Sequence, residues 1–345
     1  MKYIRKSFRS ISYIIPLYFI LGFTSSIRTH PRVDKLLFFS CFQQKKAVDL
    51  ASYIFLEKPD IYLFLGDNVY PEGENLEALS LAYKQLNIHP FWKGLKKREA
   101  KMFAIWDDHD YGINDGGAEN PFQEASKELF LETFSFPPKH PLRNRKGLYY
   151  SEVFGEGQEK LRIIFLDTRT FRTPLKKGPL FFRFFSPYIE NWETGATFLG
   201  NKQWEWLESE LQKEEAFLLL ISGIQVLPYE HHFERWENFP LERLRLLNLL
   251  EKYQKRNLLI LSGDRHFAEI SRFENQNGFR FLELTSSSLN KPYGDYVVSD
   301  NRYRLGNYYS GENYGTIQFD WKRQKLTGEL KKKGAGVINR IILNY

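Results

Sequence analysis

The sequence predicts an α/β fold, in which strands and helices alternate and metal-binding side chains collect where strands end. The chain has 345 residues, 42% of them hydrophobic, which is enough to bury a substantial core. Three apolar, β-like runs lead into acidic residues, at Asp67, at Asp107-Asp108 and at Asp264. Because open α/β sheets bind ligands at the carboxyl ends of their strands, this pattern favours a metal-dependent hydrolase.

The first half of the chain has the rhythm of βαβ units. Apolar runs and amphipathic periodicity predict strands at 36–40, 61–65 and 102–106, and helices at about 46–57, within 75–96 and at about 122–133. A hairpin follows, with strands at 147–154 and 161–166, and we expect a second sheet to begin there. Residues 170–200 contain three prolines and no clean period, which predicts a long surface loop.

Alternation resumes after this loop. The remaining predicted elements are a helix at 201–213 capped by Asn201, a strand at 217–222, a helix at 240–254, a strand at 257–261, and strands at 279–284, 314–319, 325–329 and 337–343. We expect the last strands to complete the second sheet. The sequence has no internal repeat or low-complexity linker, so residues 35–345 are predicted to form one catalytic domain.

The N-terminus has the three parts of a secretory signal peptide. Four basic residues within residues 1–10 precede an apolar run at 11–23 and the small residues Thr24-Ser25-Ser26. The apolar run is shorter than the roughly 20 residues of a membrane span. We therefore expect residues 1–26 to be removed and the protein to be exported to the periplasm or the extracellular space. An uncleaved membrane anchor is the alternative.

The net charge limits the binding partners that we expect, and the cysteine count limits the disulfides that the chain can form. Removing residues 1–26 takes away four positive charges and no negative ones, which lowers the net charge from +7 to +3. The basic runs at 96–98, 143–146 and 331–333 are explained equally well by solvated surface, so we expect no specific nucleic-acid binding. Cys41 is the only cysteine, which excludes an internal disulfide.

The side chains at the strand ends suit a two-metal centre. We expect Asp67 to bridge two cations, with Tyr70 offering a phenolate from the same loop and Cys41 a thiolate from the first strand. Several anionic ligands around one ion favour ferric iron, and His266 is predicted to complete this site. A buried structural thiol is the alternative interpretation of Cys41.

Two further acidic residues and a histidine are predicted to serve the second metal and the reaction. Asp108 and Asp264 suit a harder divalent cation such as calcium, magnesium or manganese. His109 lies between carboxylates, and Asp107 or Asp110 is expected to raise its pKa and keep it cationic. We therefore predict that His109 stabilises the transition state and protonates the leaving group.

Candidate substrate contacts lie close to these ligands in the sequence. A guanidinium group matches two phosphate oxygens, and Arg169 and Arg265 both follow predicted strands. A structural ion pair is an equally good interpretation of Arg169. Asn68, next to Asp67, is also a candidate. The serine run 286–288 lacks the surroundings of a nucleophile and is predicted to line the substrate site.

These motifs resemble those of the alkaline phosphatase D (PhoD-like) family of metallophosphatases, over about residues 35–273. The matching stretches are Gly-Asp-Asn-Val-Tyr at 66–70, Trp-Asp-Asp-His-Asp-Tyr-Gly at 106–112, Leu-Asp-Thr-Arg at 166–169, Ser-Gly-Ile-Gln-Val at 222–226 and Ser-Gly-Asp-Arg-His at 262–266. The resemblance implies a calcineurin-like metallophosphoesterase fold, with two mixed β-sheets sandwiched between helices in four layers, α/β/β/α.

The resemblance also implies a function and its cofactors. It implies an alkaline phosphatase or phosphodiesterase that hydrolyses phosphate esters through a metal-activated water or hydroxide. The implied cofactors are iron (Fe3+) and calcium, or another divalent ion such as magnesium, manganese or zinc. By motif, the iron ligands are Cys41, Asp67, Tyr70 and His266, and the second site is Asp67, Asp108 and Asp264. The wider superfamily has a histidine metal ligand at the place that Gln225 occupies in this sequence. We expect Gln225 to be a weak ligand, a substrate contact or a structural residue.

The sequence is also compatible with two other functions. One is a phosphodiesterase specialised for a diester of the cell envelope. The other is a noncatalytic protein that binds phosphate esters on the same fold, although the intact set of candidate ligands argues against it.

Overall fold

The computed structural model describes residues 31–180, 187–295, 298 and 300–345. The expected signal peptide at 1–26 and the phenylalanine-rich stretch at 181–185 lie outside the described residues. The described chain forms two mixed β-sheets with helices, which confirms the α/β prediction. Within these ranges, no helix has both the length and the apolar character needed to cross a membrane.

The bounds of the elements follow the sequence pattern closely. The strands are β1 Lys35–Phe39, β2 Ile61–Leu65, β3 Lys101–Ile105, β4 Tyr150–Phe154, β5 Leu161–Phe165, β6 Phe217–Ser222, β7 Leu258–Ser262, β8 Ala268–Glu274, β9 Arg280–Ser286, β10 Arg304–Tyr309, β11 Asn313–Asp320, β12 Lys325–Lys332 and β13 Gly336–Asn344. The α-helices are α1 Ala51–Glu57, α2 Leu76–Ile88, α3 Pro90–Lys96, α4 Asp108–Tyr111, α5 Gln123–Thr133, α6 Gly200–Leu211 and α7 Pro240–Lys252.

Several elements differ from the prediction. The first helix begins at Ala51 rather than near 46, because the carbonyls of Lys46 and Ala47 accept hydrogen bonds from the side chain of Asn290 instead of continuing a helix. Strands β8 and β10 were not predicted. No residue of β10 is fully buried, so the strand carries little of the apolar alternation that marks a half-buried strand.

The first sheet is built on the parallel strands β1, β2 and β3 and has the order β13-β12-β11-β1-β2-β3. The strands β11, β12 and β13 join it antiparallel, through the pairing of β11 with β1. The expectation that the tail completes the second sheet is therefore wrong for these three strands. Their pairing covers an edge of β1 whose backbone groups would otherwise lack hydrogen-bond partners. Because this pairing joins residues that are far apart in the sequence, the local sequence pattern does not predict it.

The second sheet has the order β10-β8-β9-β7-β6-β5-β4. Strands β5, β6, β7 and β9 are mutually parallel along this order. Strands β4, β8 and β10 pair antiparallel with their neighbours. The predicted hairpin is β4 and β5, so the second sheet does begin near residue 147. Of the predicted tail strands, β9 joins this sheet.

Alternate side chains of the strands face different layers. Phe217 on β6 meets Phe319 on β11 with ring centroids 5.5 Å apart, which places the two sheets face to face. Leu218 of β6 belongs instead to a buried cluster with residues of α6 and α7. On the far side of the first sheet, Phe64 of β2 contacts Trp92 of α3. The layers therefore run helix, sheet, sheet, helix, as predicted.

The two sheets meet at the carboxyl ends of their parallel strands, and two glycines allow the contact. A Cβ on Gly263, after β7, would lie 2.5 Å from the Oγ of Ser40, after β1. A Cβ on Gly223, after β6, would lie 2.6 Å from an oxygen of Asp107, after β3. Only glycine allows an approach this close. The loops that follow the strands of both sheets are thereby brought to one place.

Candidate metal centre

Cys41, Asp67 and His266 come together from both sheets, after β1, β2 and β7. A thiol sulfur, a carboxylate oxygen and a ring nitrogen of these residues lie within 4.8 Å of one another. The thiol of Cys41 lies 3.6 Å from Oδ2 of Asp67, and the hydroxyl of Tyr70 donates to the same oxygen at 2.7 Å. The four residues expected at the iron site are thus gathered around one carboxylate.

A second group consists of Asp67, Asp108 and His109, again with one candidate ligand atom each within 4.8 Å. Asp108 begins the short helix α4 after β3. Its Oδ1 accepts the backbone N–H of His109 and its Oδ2 that of Asp115, both at 2.8 Å. Asp67 belongs to both groups, which is the position of a bridging ligand in a two-metal site.

Asp264 lies beside these groups without joining either three-residue cluster among the described residues. Its charge is one of those that raise the pKa of Asp67. The pKa of Asp264 itself is raised, first by burial and then by the charge of Asp107. The side chain is partly buried and is therefore the predicted ligand with the greatest access to solvent.

The backbone at the candidate ligands is strained. Cys41, Asp67, Asp264 and His266 have positive φ values of 58°, 53°, 69° and 58°. This left-handed region is uncommon for residues other than glycine, and its use costs about 1–3 kcal/mol per residue. Four of the six predicted metal ligands adopt it. Strain of this kind is typical of functional sites, where it directs side chains to a common point.

Ser287 holds two of the candidate ligands, a role that the sequence did not indicate. Its Oγ lies 3.0 Å from the sulfur of Cys41 and accepts the backbone N–H of His266 at 2.6 Å. The Nδ1 of His266 lies 2.6 Å from the carbonyl oxygen of Lys291. A carbonyl can only accept, so Nδ1 carries the proton and Nε2 keeps the lone pair that a metal needs.

The electrostatics of the cluster fit a bound cation. Burial raises the pKa of the Cys41 thiol and of the Tyr70 phenol, and Asp67 adds to both effects. Burial lowers the pKa of His266 to about 3, so its imidazole is neutral. The pKa of Asp67 is raised by burial and by Asp108, and its Oδ1 has no hydrogen-bond partner in the described part of the chain. A cation would bind this oxygen and offset the repulsion.

The charge state of His109 differs from the prediction. Burial lowers the pKa of His109, and the carboxylate that opposes this most strongly is Asp108 rather than Asp107 or Asp110. Asp107 instead pairs with Arg169, and Asp110 accepts backbone N–H groups of the neighbouring loops. The expectation of a cationic His109 is therefore wrong for the protein without substrate, because desolvation outweighs the neighbouring charge.

Arg169 is fully buried and its guanidinium group is held by carboxylates. Its Nε donates to Oδ1 of Asp107 at 2.7 Å, and Nη1 lies 2.6 Å from Oε2 of Glu234. The ion-pair interpretation fits this geometry, and a phosphate contact by this group does not. Asn68 likewise uses its amide N–H groups on the carbonyl of Ile105 at 2.9 Å and on Asp110 at 3.1 Å. Both side chains position loops rather than face a substrate.

Arg265 and Gln225 lie in the loops after β7 and β6. The guanidinium of Arg265 lies 4.6 Å from the ring centre of Phe233, and burial lowers its pKa. The amide nitrogen of Gln225 donates to Glu269 at 2.8 Å and to Thr285 at 2.9 Å. These bonds give Gln225 a structural role, while its Oε1 has no hydrogen-bond partner among the residues described.

A family model described as PhoD-like phosphatase matches residues 81–330 of the chain. The fold is similar to the solved structure of PhoD, with a TM-score of 0.71 and 16% identity over 91% of this chain and 70% of that chain. It is also similar to a dimetal phosphatase from Danio rerio, with a TM-score of 0.52 and 13% identity over 91% of this chain and 99% of that chain. No curated protein gives a significant sequence match.

Proposed function

We propose that this chain, which belongs to the PhoD-like phosphatase family, hydrolyses phosphate esters with two cations held at the carboxyl ends of β1, β2, β3 and β7. As a member of this family it is a metallophosphoesterase. The observation that carries the two-metal proposal is the position of Asp67, which lies within 4.8 Å of ligand atoms in both three-residue groups.

The residues divide between two metals. Cys41, Asp67, Tyr70 and His266 offer sulfur, oxygen and nitrogen ligands that suit iron. Asp67, Asp108 and Asp264 offer carboxylate oxygens, which suit calcium or another divalent ion such as magnesium, manganese or zinc. When bound, the two cations would lower the pKa of a water molecule and neutralise charge on the phosphate oxygens.

The reaction requires a water to attack phosphorus, the bond from phosphorus to the ester oxygen to break, and a proton to reach the departing oxygen. We assign the last step to His109, whose ring lies 4.2 Å from that of Tyr70, centroid to centroid, and is partly exposed. A bound phosphate would add negative charge beside this imidazole and favour its protonated form. Arg265, in the loop after β7, is the proposed cationic contact to the phosphate.

Export is part of the proposal and is supported by the signal-peptide pattern of residues 1–26. The substrate would then be a small or polymeric phosphate ester outside the cytoplasm.

The proposal is tested by the turnover of the wild type and of Asp67→Asn on p-nitrophenyl phosphate and its bis ester, at alkaline pH with and without calcium. We expect metal-dependent hydrolysis by the wild type and a loss of at least about 1000-fold in the variant, because both cations lose their shared ligand. Asp60→Asn is a matched control, since Asp60 accepts backbone N–H groups at the start of β1, away from the site.

Full activity of Asp67→Asn would disprove the two-metal assignment. Stoichiometric metal without turnover on either ester would support the noncatalytic binding protein instead.

A further inference from the structure

Lys291 lies at the mouth of the candidate metal centre, although no sequence motif marks it. Its ammonium nitrogen is 3.2 Å from the centre of the Tyr70 ring and 5.3 Å from that of Tyr293. Tyr293 in turn stacks on His266, with ring centroids 3.9 Å apart. The lysine therefore stands over one candidate iron ligand and beside another.

The backbone that carries Lys291 is firmly attached to the site. The carbonyl of Lys291 binds Nδ1 of His266 at 2.6 Å. The preceding residue, Asn290, accepts the backbone N–H of Gln43 at 2.7 Å and donates to three carbonyls of the loop after β1. Leu289 donates to the carbonyl of Ser40 at 2.9 Å. The segment that presents Lys291 is thus fixed to the loop that presents Cys41.

Burial leaves one side from which a substrate can approach. Cys41, Asp67 and Asp108 are buried, with at most 4% of each residue exposed. Groups around them that reach solvent include His109, Asp264 and Lys291, all partly exposed, and Tyr293, which is 38% exposed. A phosphate that reaches the Asp67 carboxylate from this side would pass the ammonium group.

Two effects act on the charge of Lys291: burial lowers its pKa, and the carboxylates of Asp67 and Asp108 act in the opposite direction. Among the described residues, no carboxylate forms an ion pair with its ammonium group, which lies against the two aromatic rings. The anionic groups that act on this charge are the candidate ligands Asp67, Asp108 and Cys41, which the metals would occupy. A cation held in this way, over an aromatic face and open to solvent on one side, is suited to bind an anionic ligand.

We propose that Lys291 binds a nonbridging oxygen of the substrate phosphate and thereby favours phosphate monoesters over diesters. This inference rests on the proposed phosphate-ester hydrolysis. At alkaline pH a monoester carries two negative charges and a diester one. The electrostatic attraction to one ammonium group scales with the charge of the ligand, so the lysine stabilises the bound monoester about twice as strongly in free energy.

The test compares Lys291→Met, which keeps the length of the side chain without its charge, with Lys291→Arg, which keeps the charge. Lys46→Met is the matched control, because Lys46 is an exposed cation in the neighbouring loop and contacts neither ring. The readouts are kcat/KM for p-nitrophenyl phosphate and for its bis ester, and the affinity for inorganic phosphate by calorimetry. Circular dichroism verifies folding, and elemental analysis verifies metal content.

For Lys291→Met we expect kcat/KM on the monoester and the affinity for phosphate to fall about 10- to 100-fold, the range of one charge-assisted hydrogen bond. On the diester we expect about a 3- to 10-fold fall, with Lys291→Arg and Lys46→Met close to the wild type on both. Equal losses on the two esters, or no loss of phosphate affinity, would overturn the proposal.

The two proposals fail in different ways. A wild type that binds metal and phosphate but hydrolyses neither ester would refute the hydrolysis, and the phosphate affinity of Lys291→Met would still decide the role of the lysine. If Lys291→Met does not fold, Lys291→Gln takes its place with the same expected ratios.

Discussion

Replacing Asp67 by asparagine is predicted to stabilise the protein in a chelator and to destabilise it, relative to the wild type, when cations are present. The Asp67 carboxylate is buried, its Oδ1 has no hydrogen-bond partner in the described residues, and burial and Asp108 raise its pKa. A buried polar group left unsatisfied costs about 1–3 kcal/mol. The amide of Asp67→Asn removes the charge, can accept from Tyr70 and can donate to Asp108.

The expected size of the effect follows from these contacts. A gain of about 1–3 kcal/mol corresponds to a rise of roughly 2–5 °C in melting temperature for a domain of this size. Bound cations are expected to reverse the order of the two melting temperatures, because a ligand at about 100 times its Kd stabilises the wild type by about 2.7 kcal/mol per ion. The variant lacks the shared ligand and gains little from either ion.

The pH dependence has a defined sign. The pKa of Asp67 is higher in the fold than in the unfolded chain, so the wild type in a chelator loses stability as the pH rises above about 4, the ordinary pKa of aspartate. The advantage of Asp67→Asn is therefore expected at about pH 8 and should disappear as the pH falls below about 4, where the carboxyl is protonated in both states.

The assay is thermal unfolding followed by circular dichroism at about pH 8, in a chelator and again with iron and calcium. Asp60→Asn serves as the control and should shift the melting temperature equally in the two buffers. The reasoning would be refuted if Asp67→Asn melted below the wild type by the same amount in both, since Asp67 would then be a structural residue.

Three further substitutions separate the roles of neighbouring residues. His109→Ala is expected to keep its metals and to lose about 10²- to 10⁴-fold in kcat, with the largest loss on esters that have poor leaving groups. Loss of metal from this variant would show instead that His109 is a metal ligand. The control is His232→Ala, because His232 is exposed. Arg169→Met leaves the buried Asp107 without its cation and Glu234 with Arg172 alone. It should lower the free energy of unfolding, measured in urea, by about 3–5 kcal/mol; a change below about 1 kcal/mol would contradict the ion-pair role. Tyr70→Phe keeps the ring but removes the hydroxyl, so we expect less retained iron by elemental analysis, and unchanged iron would exclude a phenolate ligand.

The sequence was sufficient to predict where the strands end. Buried parallel strands are continuous apolar runs, and β2 has the predicted bounds 61–65 for this reason. Since the carboxyl ends of parallel strands share one edge, Cys41, Asp67 and Asp108 could be expected to meet without knowledge of the fold. The resemblance to the PhoD-like family is confirmed by the family model, and the two-sheet fold by the similar structures.

Other features depend on contacts between distant residues and could not be predicted locally. An arginine near metal ligands has the same sequence signature whether it binds phosphate or, like Arg169, pairs with Glu234. The pKa of His109 depends on how deeply the ring is buried, and the adjacent residues in the sequence do not indicate that burial. Ser287 and Lys291 reach the site because β9 lies beside β7 and its following loop is bound to the loop after β1. The serine run and the lone lysine carry no motif of their own.

The central claim, that Asp67 bridges two cations, is tested most directly by the metal content of the protein. The protein is loaded with iron and calcium, unbound ions are removed, and the wild type and Asp67→Asn are compared by elemental analysis. We predict one iron and one calcium per chain in the wild type and less than one ion in total in the variant. Two ions retained by the variant, or none bound by the wild type, would contradict the claim.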